Sequence, residues 1–137
     1  VVDEAVPSGN AGDIGGVMSP ESSRVTRDYL TLISQGVFNK VDLIHKGSGY
    51  AKLIRDSGGR YFVRLEDFSV TNGPDLYVYL AADAERVAED EFANLGRLKG
   101  TEGNQNYEVE KGDAEKFSTV IIWCKQFGVL FSFAKLL

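Results

Sequence analysis

Residues 118–137, STVIIWCKQFGVLFSFAKLL, decide the fold of this chain. Two apolar runs, residues 120–123 and 129–133, lie on either side of the short break at residues 125–128. Runs of β-branched and aromatic residues separated by a short break that contains Gly are typical of two paired strands. The stretch therefore predicts a β-hairpin that serves as the nucleus of the core.

The first strand of this hairpin contains the only Trp and the only Cys of the chain, as neighbours. Side chains alternate between the two faces of a strand, so Cys124 shares one face with Val120 and Ile122. Ile121 and Trp123 lie on the other face. If the chain has a special chemical group, Cys124 is the first candidate.

Size and charge restrict the function. A chain of 137 residues with 43% hydrophobic residues suits one domain with a true core. The net charge of −5 argues against nucleic acid or an anionic membrane surface as the main partner. No apolar stretch reaches the roughly 18–20 residues of a membrane span, because Lys125 and Gln126 interrupt the longest one.

The N-terminal part is expected to differ from the rest. Residues 1–18 are rich in Gly, Asp and Ser and are expected to be a flexible leader, of the kind that follows a removed signal peptide or a lipid-anchored Cys. Ser19, Pro20 and Glu21 are typical of a helix start, and the helix is expected to end at Gly36. The apolar face of that helix would comprise Val25, Tyr29, Leu32 and Ile33. A strand over residues 24–33 is the alternative interpretation.

The sequence predicts a single domain over residues 19–137, with strands and turns from Gly36 onward. Strands are expected over residues 37–45, 50–55, 61–66 and 76–80, and residues 95–100 and 103–110 are expected to form a short edge-like pair. Residues 83–92 would form one or two helical turns. Short strands at about ten-residue intervals predict an all-β antiparallel sandwich or barrel of about eight to ten strands, with the short N-terminal helix.

Cys124 has two interpretations. The first is a small buried hydrophobic side chain. The second is a redox thiol, or a soft axial ligand for haem or copper. Lys125 would lower the thiol pKa if its ammonium group turned to the same face, but alternation places neighbouring side chains on opposite faces.

His45 is the only histidine. Its imidazole would act as a ligand or a proton carrier, or it would bond a loop carbonyl in a purely structural role. A Cys and a His are suitable axial ligands for a haem iron, so Cys124 and His45 would hold haem if the fold brings them together.

Other chemistries find little support. One His and one Cys are too few for a zinc site of the usual ligand set, and no phosphate loop, nucleophile elbow, triad or paired-acid arrangement is present. Asp67, Asp75 and Asp83 lie near turns but do not have the spacing of an EF-hand. Tyr77 and Tyr79 would either line an exposed aromatic face or be buried. We expect no stand-alone catalytic activity.

Several blocks of the sequence resemble the DM13 domain family, in order, over about residues 34–137. The blocks are Gly36-Val37-Phe38, His45, Gly49, residues 65–68, residues 73–80, residues 95–100, residues 103–107, residues 120–124 and residues 131–136. Ser132 departs from the family pattern, which usually has Gly after the Phe of the last strand. This departure is expected to alter local packing.

The resemblance implies a small extracytoplasmic β domain, secreted, periplasmic or lipid-anchored at the cell surface. The characteristic Cys of the family falls on Cys124, and the resemblance implies electron transfer or thiol redox chemistry there, as a free thiol or with a prosthetic group such as haem. The partner would be a redox or cell-surface protein. The alternative function is a cofactor-free binding or adhesion module in which Cys124 is structural.

Overall fold

The computed structural model describes residues 1–7 and 30–137. Within these residues the chain forms nine strands and two short helices. In chain order the elements are β1 (Val2–Asp3), β2 (Thr31–Val37), β3 (Gly47–Arg55), β4 (Tyr61–Val70), β5 (Leu76–Ala81), α1 (Ala84–Ala88), β6 (Phe92–Arg97), β7 (Gly103–Val109), α2 (Lys111–Lys116), β8 (Thr119–Cys124) and β9 (Val129–Lys135). No helix among the described residues is long and apolar enough to cross a membrane.

The strands form two sheets. One has five strands in the order β1-β7-β4-β3-β2, and the other has four in the order β6-β5-β8-β9. All pairs are antiparallel except β1 with β7, which run parallel. The predicted all-β sandwich is confirmed.

The main core lies between the two sheets, and β8 contributes to it as the sequence predicts. Val120, Ile122 and Cys124 belong to the main buried cluster. Ile121 belongs to a second cluster on the opposite face of the same sheet, and the half-buried Trp123 packs against that cluster. Because both faces of β8 are covered, nearly every residue of this strand is buried.

The expected N-terminal helix is wrong at its C-terminal end. Residues 31–37 are strand β2, which pairs with β3 at the edge of the five-stranded sheet. Leu32 and Ile33, the expected core face of the helix, are both exposed. The rest of that helix, including Ser19, Pro20, Glu21, Val25 and Tyr29, lies outside the described residues.

Three further expectations need correction. The beginning of the expected leader is bound to the sheet, because Val2 and Asp3 pair with Gly103 and Asn104. Most of residues 37–45 forms a loop, and Asn39 makes only an isolated bridge to β9. β6 and β7 do not pair with each other, because β6 pairs with β5 in one sheet and β7 pairs with β4 and β1 in the other.

The two sheets meet along β2 and β9. Gln35 and Leu137 exchange backbone hydrogen bonds, and the backbone N–H of Asn39 donates to the carbonyl of Phe133 at 2.9 Å. The hydroxyl of the buried Ser132 donates to the carbonyl of Asn39 at 2.7 Å. Ser132 lies against Gly47, where any side chain would collide with its hydroxyl. Ser132 therefore has a specific structural contact in this chain.

Candidate functional site

Cys124 is the last residue of β8 and lies on the core side of the four-stranded sheet. Its register partners are Leu76 in β5 and Val129 in β9. The side chain is 0% exposed, and the thiol is free. Surrounded by apolar side chains, it has the environment of a small buried hydrophobic residue.

Cys124 nevertheless lies at the end of its strand, and the residues that follow it directly are exposed to solvent. Residues 125–128, which connect β8 to β9, are all exposed. The backbone N–H of Gly128 donates to the Cys124 carbonyl at 2.8 Å, and the N–H of Lys125 donates to the Asp75 carbonyl at 2.9 Å. Gly128 has a φ of +63°, which favours glycine at this position. The buried thiol is thus followed directly by a tight exposed turn.

The ammonium group of Lys125 points to the opposite face from the thiol. Its Nζ lies 5.4 Å from the ring centroid of Tyr77, which pairs with Trp123 on the outer side of the sheet. Lys125 therefore does not stabilise a thiolate at Cys124, in agreement with the alternation argument from the sequence.

His45 lies in the loop between β2 and β3 and is tied to two neighbours. Its Nδ1 is 2.9 Å from both carboxylate oxygens of Asp42. Its ring packs edge-on against Phe131, with the two ring centroids 4.6 Å apart. The side chain is 21% exposed. The imidazole is therefore held by a carboxylate rather than by a loop carbonyl.

Asp42 organises this loop. Its Oδ1 accepts hydrogen bonds from the backbone N–H groups of Ile44 at 2.9 Å and His45 at 2.7 Å. The hydrogen bond from the His45 side chain, with these two backbone bonds, lowers the pKa of Asp42 to about 2. Asp42 is thus the group that orients His45, and the sequence signal for it is an Asp three residues before the only His.

The structure does not bring Cys124 and His45 together. No hydrogen bond or ring contact among the described residues joins them. Phe131, which the His45 ring contacts, belongs to the same buried cluster as Cys124. The two candidate residues therefore lie near the same end of β9, one inside the core and the other at its rim.

Comparison with known proteins gives one match, to the family described as electron transfer DM13, over residues 38–136. The chain belongs to the DM13 family. Searches of curated proteins and of solved structures found no match. The matched region of the DM13 domain begins at Phe38, so it excludes β1 and β2 and includes both His45 and Cys124. Membership supports a general role in electron transfer.

The residues of this DM13 domain, in the arrangement described, do not fit a haem held by Cys124 and His45. A ligating thiolate needs an open cavity beside it, and Cys124 is enclosed by packed apolar side chains. Cys124 does not line the surface cavity of about 500 Å³ beside Gln35, Tyr50 and Leu137. The bond between the Nδ1 of His45 and Asp42 is compatible with ligation through Nε2, so the enclosure of Cys124 is the observation that decides against this haem site.

Two of the three acids near turns in the DM13 domain, Asp75 and Asp83, have side-chain partners, whereas Asp67 has a φ of +50° and its backbone N–H donates to Asn104 Oδ1 at 2.9 Å. Asp75 pairs with Arg97 at 2.9 Å, and Asp83 caps α1 by accepting from the backbone N–H of Arg86 at 3.0 Å. Among residues 1–7 and 30–137 no group of three or more His, Cys, Asp and Glu side chains is arranged to hold a metal ion.

The tyrosine pair is only partly available for contacts. Tyr79 is buried and stacks on Phe92, with ring centroids 4.2 Å apart. Tyr77 is half-buried beneath Arg97 and Lys125. The two rings therefore form part of the packed outer layer of the four-stranded sheet rather than an open aromatic face.

Proposed function

We propose that this chain is an extracytoplasmic domain that serves electron transfer, with Cys124 as its reacting thiol. Family membership supports the general electron-transfer role. The observation that carries the choice of Cys124 is its position, since the only cysteine of the chain is the last residue of β8, directly before an exposed turn.

The thiol reacts only after a local opening, because it is 0% exposed. The end of the β8–β9 hairpin is the segment that would open. β9 is an edge strand. Backbone hydrogen bonds to the β2 side of the sandwich are made by Phe133, in the C-terminal half of β9, and by Leu137, just after the strand ends. The other end of β9, at Val129 and Leu130, is half-buried and pairs with β8. Local openings of this kind cost less free energy than global unfolding.

The reaction we propose is thiol–disulfide exchange with a partner protein. The Cys124 thiol gives its proton to solvent, and its sulfur attacks one sulfur of a disulfide in the partner. A new disulfide forms between Cys124 and the partner, the original disulfide breaks, and its second sulfur leaves as a thiolate. Because this chain has no second cysteine, a thiol of the partner must resolve the mixed disulfide.

The second candidate is a cofactor-free binding module in which Cys124 is structural. The observation that favours it is the complete burial of the thiol within an apolar cluster. In this function the outer surfaces of the sandwich make the contacts, and Cys124 only fills space in the core.

Incubation of the native protein with glutathione disulfide distinguishes the two functions. We expect mass spectrometry to detect one glutathione adduct, absent from the matched variant Cys124→Ala. Protein unfolded in urea is the positive control for reactivity. Formation of the adduct only in urea would contradict the redox role and leave the binding module. Recovery of the natural protein in the cytoplasmic fraction of the cells that produce it would contradict the proposed location.

A further inference from the structure

Three loops come together at the end of the sandwich where β8 ends. They are residues 39–46, residues 71–75 and residues 125–128. The Thr71 hydroxyl donates to the carbonyl of Ile44 at 2.9 Å, and the backbone N–H of Thr71 donates to the carbonyl of Lys46 at 2.9 Å. The backbone N–H of Lys125 donates to the carbonyl of Asp75 at 2.9 Å. The middle loop therefore connects the other two into one surface.

Large apolar side chains protrude from two of these loops. Leu43 is 80% exposed, Ile44 is 70% exposed and Phe127 is 61% exposed. They lie in loops, outside every strand and helix. We call Leu43, Ile44 and Phe127 the apolar tips.

Lysines accompany the apolar tips. Lys40, Lys46 and Lys125 are all exposed, and all three lie in the same loops. The same loops contain two acids, Asp42 and Asp75, so three lysines against two carboxylates leave a formal charge of +1, and Asp75 also bonds Arg97 at 2.9 Å. The three loops therefore carry a net positive charge in a chain whose net charge is −5. The overall charge, which argues against an anionic membrane partner, does not describe this end.

We propose that this end of the domain binds the surface of an anionic lipid bilayer. The apolar tips enter the interfacial layer of the bilayer, and Lys40, Lys46 and Lys125 lie against the negatively charged headgroups. Exposed apolar side chains on loop tips can be buried in the interfacial layer of a bilayer, whereas a protein partner is usually met by a closely packed complementary patch. Positive charge next to the tips adds attraction to anionic lipid. This inference does not depend on a redox role for Cys124.

Co-sedimentation of the protein with large unilamellar vesicles tests the proposal. Vesicles of 70% phosphatidylcholine and 30% phosphatidylglycerol are compared with vesicles of pure phosphatidylcholine. We expect binding to the anionic vesicles that weakens as the salt concentration rises, because salt screens the lysine attraction. We expect little binding to the neutral vesicles.

Paired variants separate the two contributions. Leu43→Ser with Ile44→Ser is expected to weaken the partition coefficient by about tenfold, because two apolar side chains no longer leave water. Its matched control, Leu32→Ser with Ile33→Ser, changes two exposed apolar residues near the opposite end of β2 and is expected to leave binding unchanged.

The lysine variants are matched in the same way. Lys40→Gln with Lys125→Gln is expected to weaken binding to anionic vesicles by about tenfold. The control, Lys111→Gln with Lys116→Gln, removes two lysines of α2 and is expected to leave binding to anionic vesicles unchanged.

Three results would overturn the proposal. One is no binding of the unchanged protein to anionic vesicles. Another is equal loss of binding in a tip variant and its matched control. The third comes from analytical ultracentrifugation without lipid, where a dimer that disappears in the Leu43→Ser, Ile44→Ser variant would assign the apolar tips to contact with a second copy of the chain.

Discussion

Cys124 and His45 lie near the same end of β9 in opposite surroundings. Cys124 is enclosed by apolar side chains, and its backbone carbonyl accepts a hydrogen bond from the Gly128 N–H of the turn that follows. His45 is partly exposed, is bonded to the Asp42 carboxylate, and contacts the core through the Phe131 ring.

This difference determines how each residue can act. Cys124 can react only when the structure around it opens. The rate of any such reaction therefore depends on the free energy of that opening. His45 needs no such opening, but its Nδ1 is already engaged. Changes in the core should therefore alter the free energy of unfolding, and changes in the loop should alter local properties alone.

Replacement of Phe131, which lies between the two regions, should have the largest effect. Phe131→Ala is expected to lower the free energy of unfolding by about 3–5 kcal/mol, because it leaves a cavity in the core and removes the ring that supports His45. Urea denaturation measures the loss. The matched control Phe127→Ala, at an exposed position, should change stability by less than about 0.5 kcal/mol. Equal losses of stability in the two variants would contradict the assignment of Phe131 to the core and of Phe127 to the exposed surface.

Cys124→Ser should have an intermediate effect. The hydroxyl would be buried in an apolar site, and the free energy of unfolding is expected to fall by about 1–3 kcal/mol. Cys124→Ala, which introduces no polar group, should cost less than the Ser variant. A Ser variant as stable as the unchanged protein would mean that water reaches this position.

The smallest expected effect concerns Asp42. In His45→Ala the pKa of Asp42 should rise from about 2 toward its ordinary value of 3.8, since the side-chain hydrogen bond is lost. The backbone hydrogen bonds from positions 44 and 45 should keep it somewhat below that value. NMR titration of the carboxyl carbon measures this shift, and Cys124→Ala should leave it unchanged.

The same carboxylate has a defined sign of pH dependence. Its pKa is lower in the folded protein than in the unfolded chain, so its contribution to stability is present above about pH 3.8 and is lost as the pH falls toward 2. In His45→Ala this acid-dependent contribution should be smaller. An unchanged acid dependence in that variant would contradict the role of His45 as the main partner of Asp42.

Much of the sandwich could be predicted because its central strands are buried on at least one face. The alternation of Val120, Ile122 and Cys124 against Ile121 and Trp123 specifies both clusters around β8. The turn at residues 56–59 could be predicted for a different reason, since it combines Gly with Asp56, whose carboxylate accepts hydrogen bonds from the backbone N–H groups of Gly58 and Arg60.

The rest depended on interactions that are distant in sequence. β2 is an exposed edge strand, so its apolar residues Leu32 and Ile33 carry no burial pattern that distinguishes a strand from a helix. β6 and β7 follow each other closely but join different sheets, and local sequence does not specify which sheet a strand enters. The sequence identified Cys124 and His45 as candidates, but their separation depends on how the loop at residues 39–46 docks on Phe131.

We propose that Cys124 becomes reactive through a local opening of the β8–β9 hairpin. The most direct test is the rate of thiol labelling of native protein at several urea concentrations, compared with global unfolding. Local opening predicts a free energy of exposure for Cys124 below the global free energy of unfolding, with a much weaker dependence on urea, because little surface is exposed. If exposure of Cys124 and global unfolding have equal free energies and equal urea dependence, the thiol is reached only by global unfolding. That result would contradict a local opening of the hairpin.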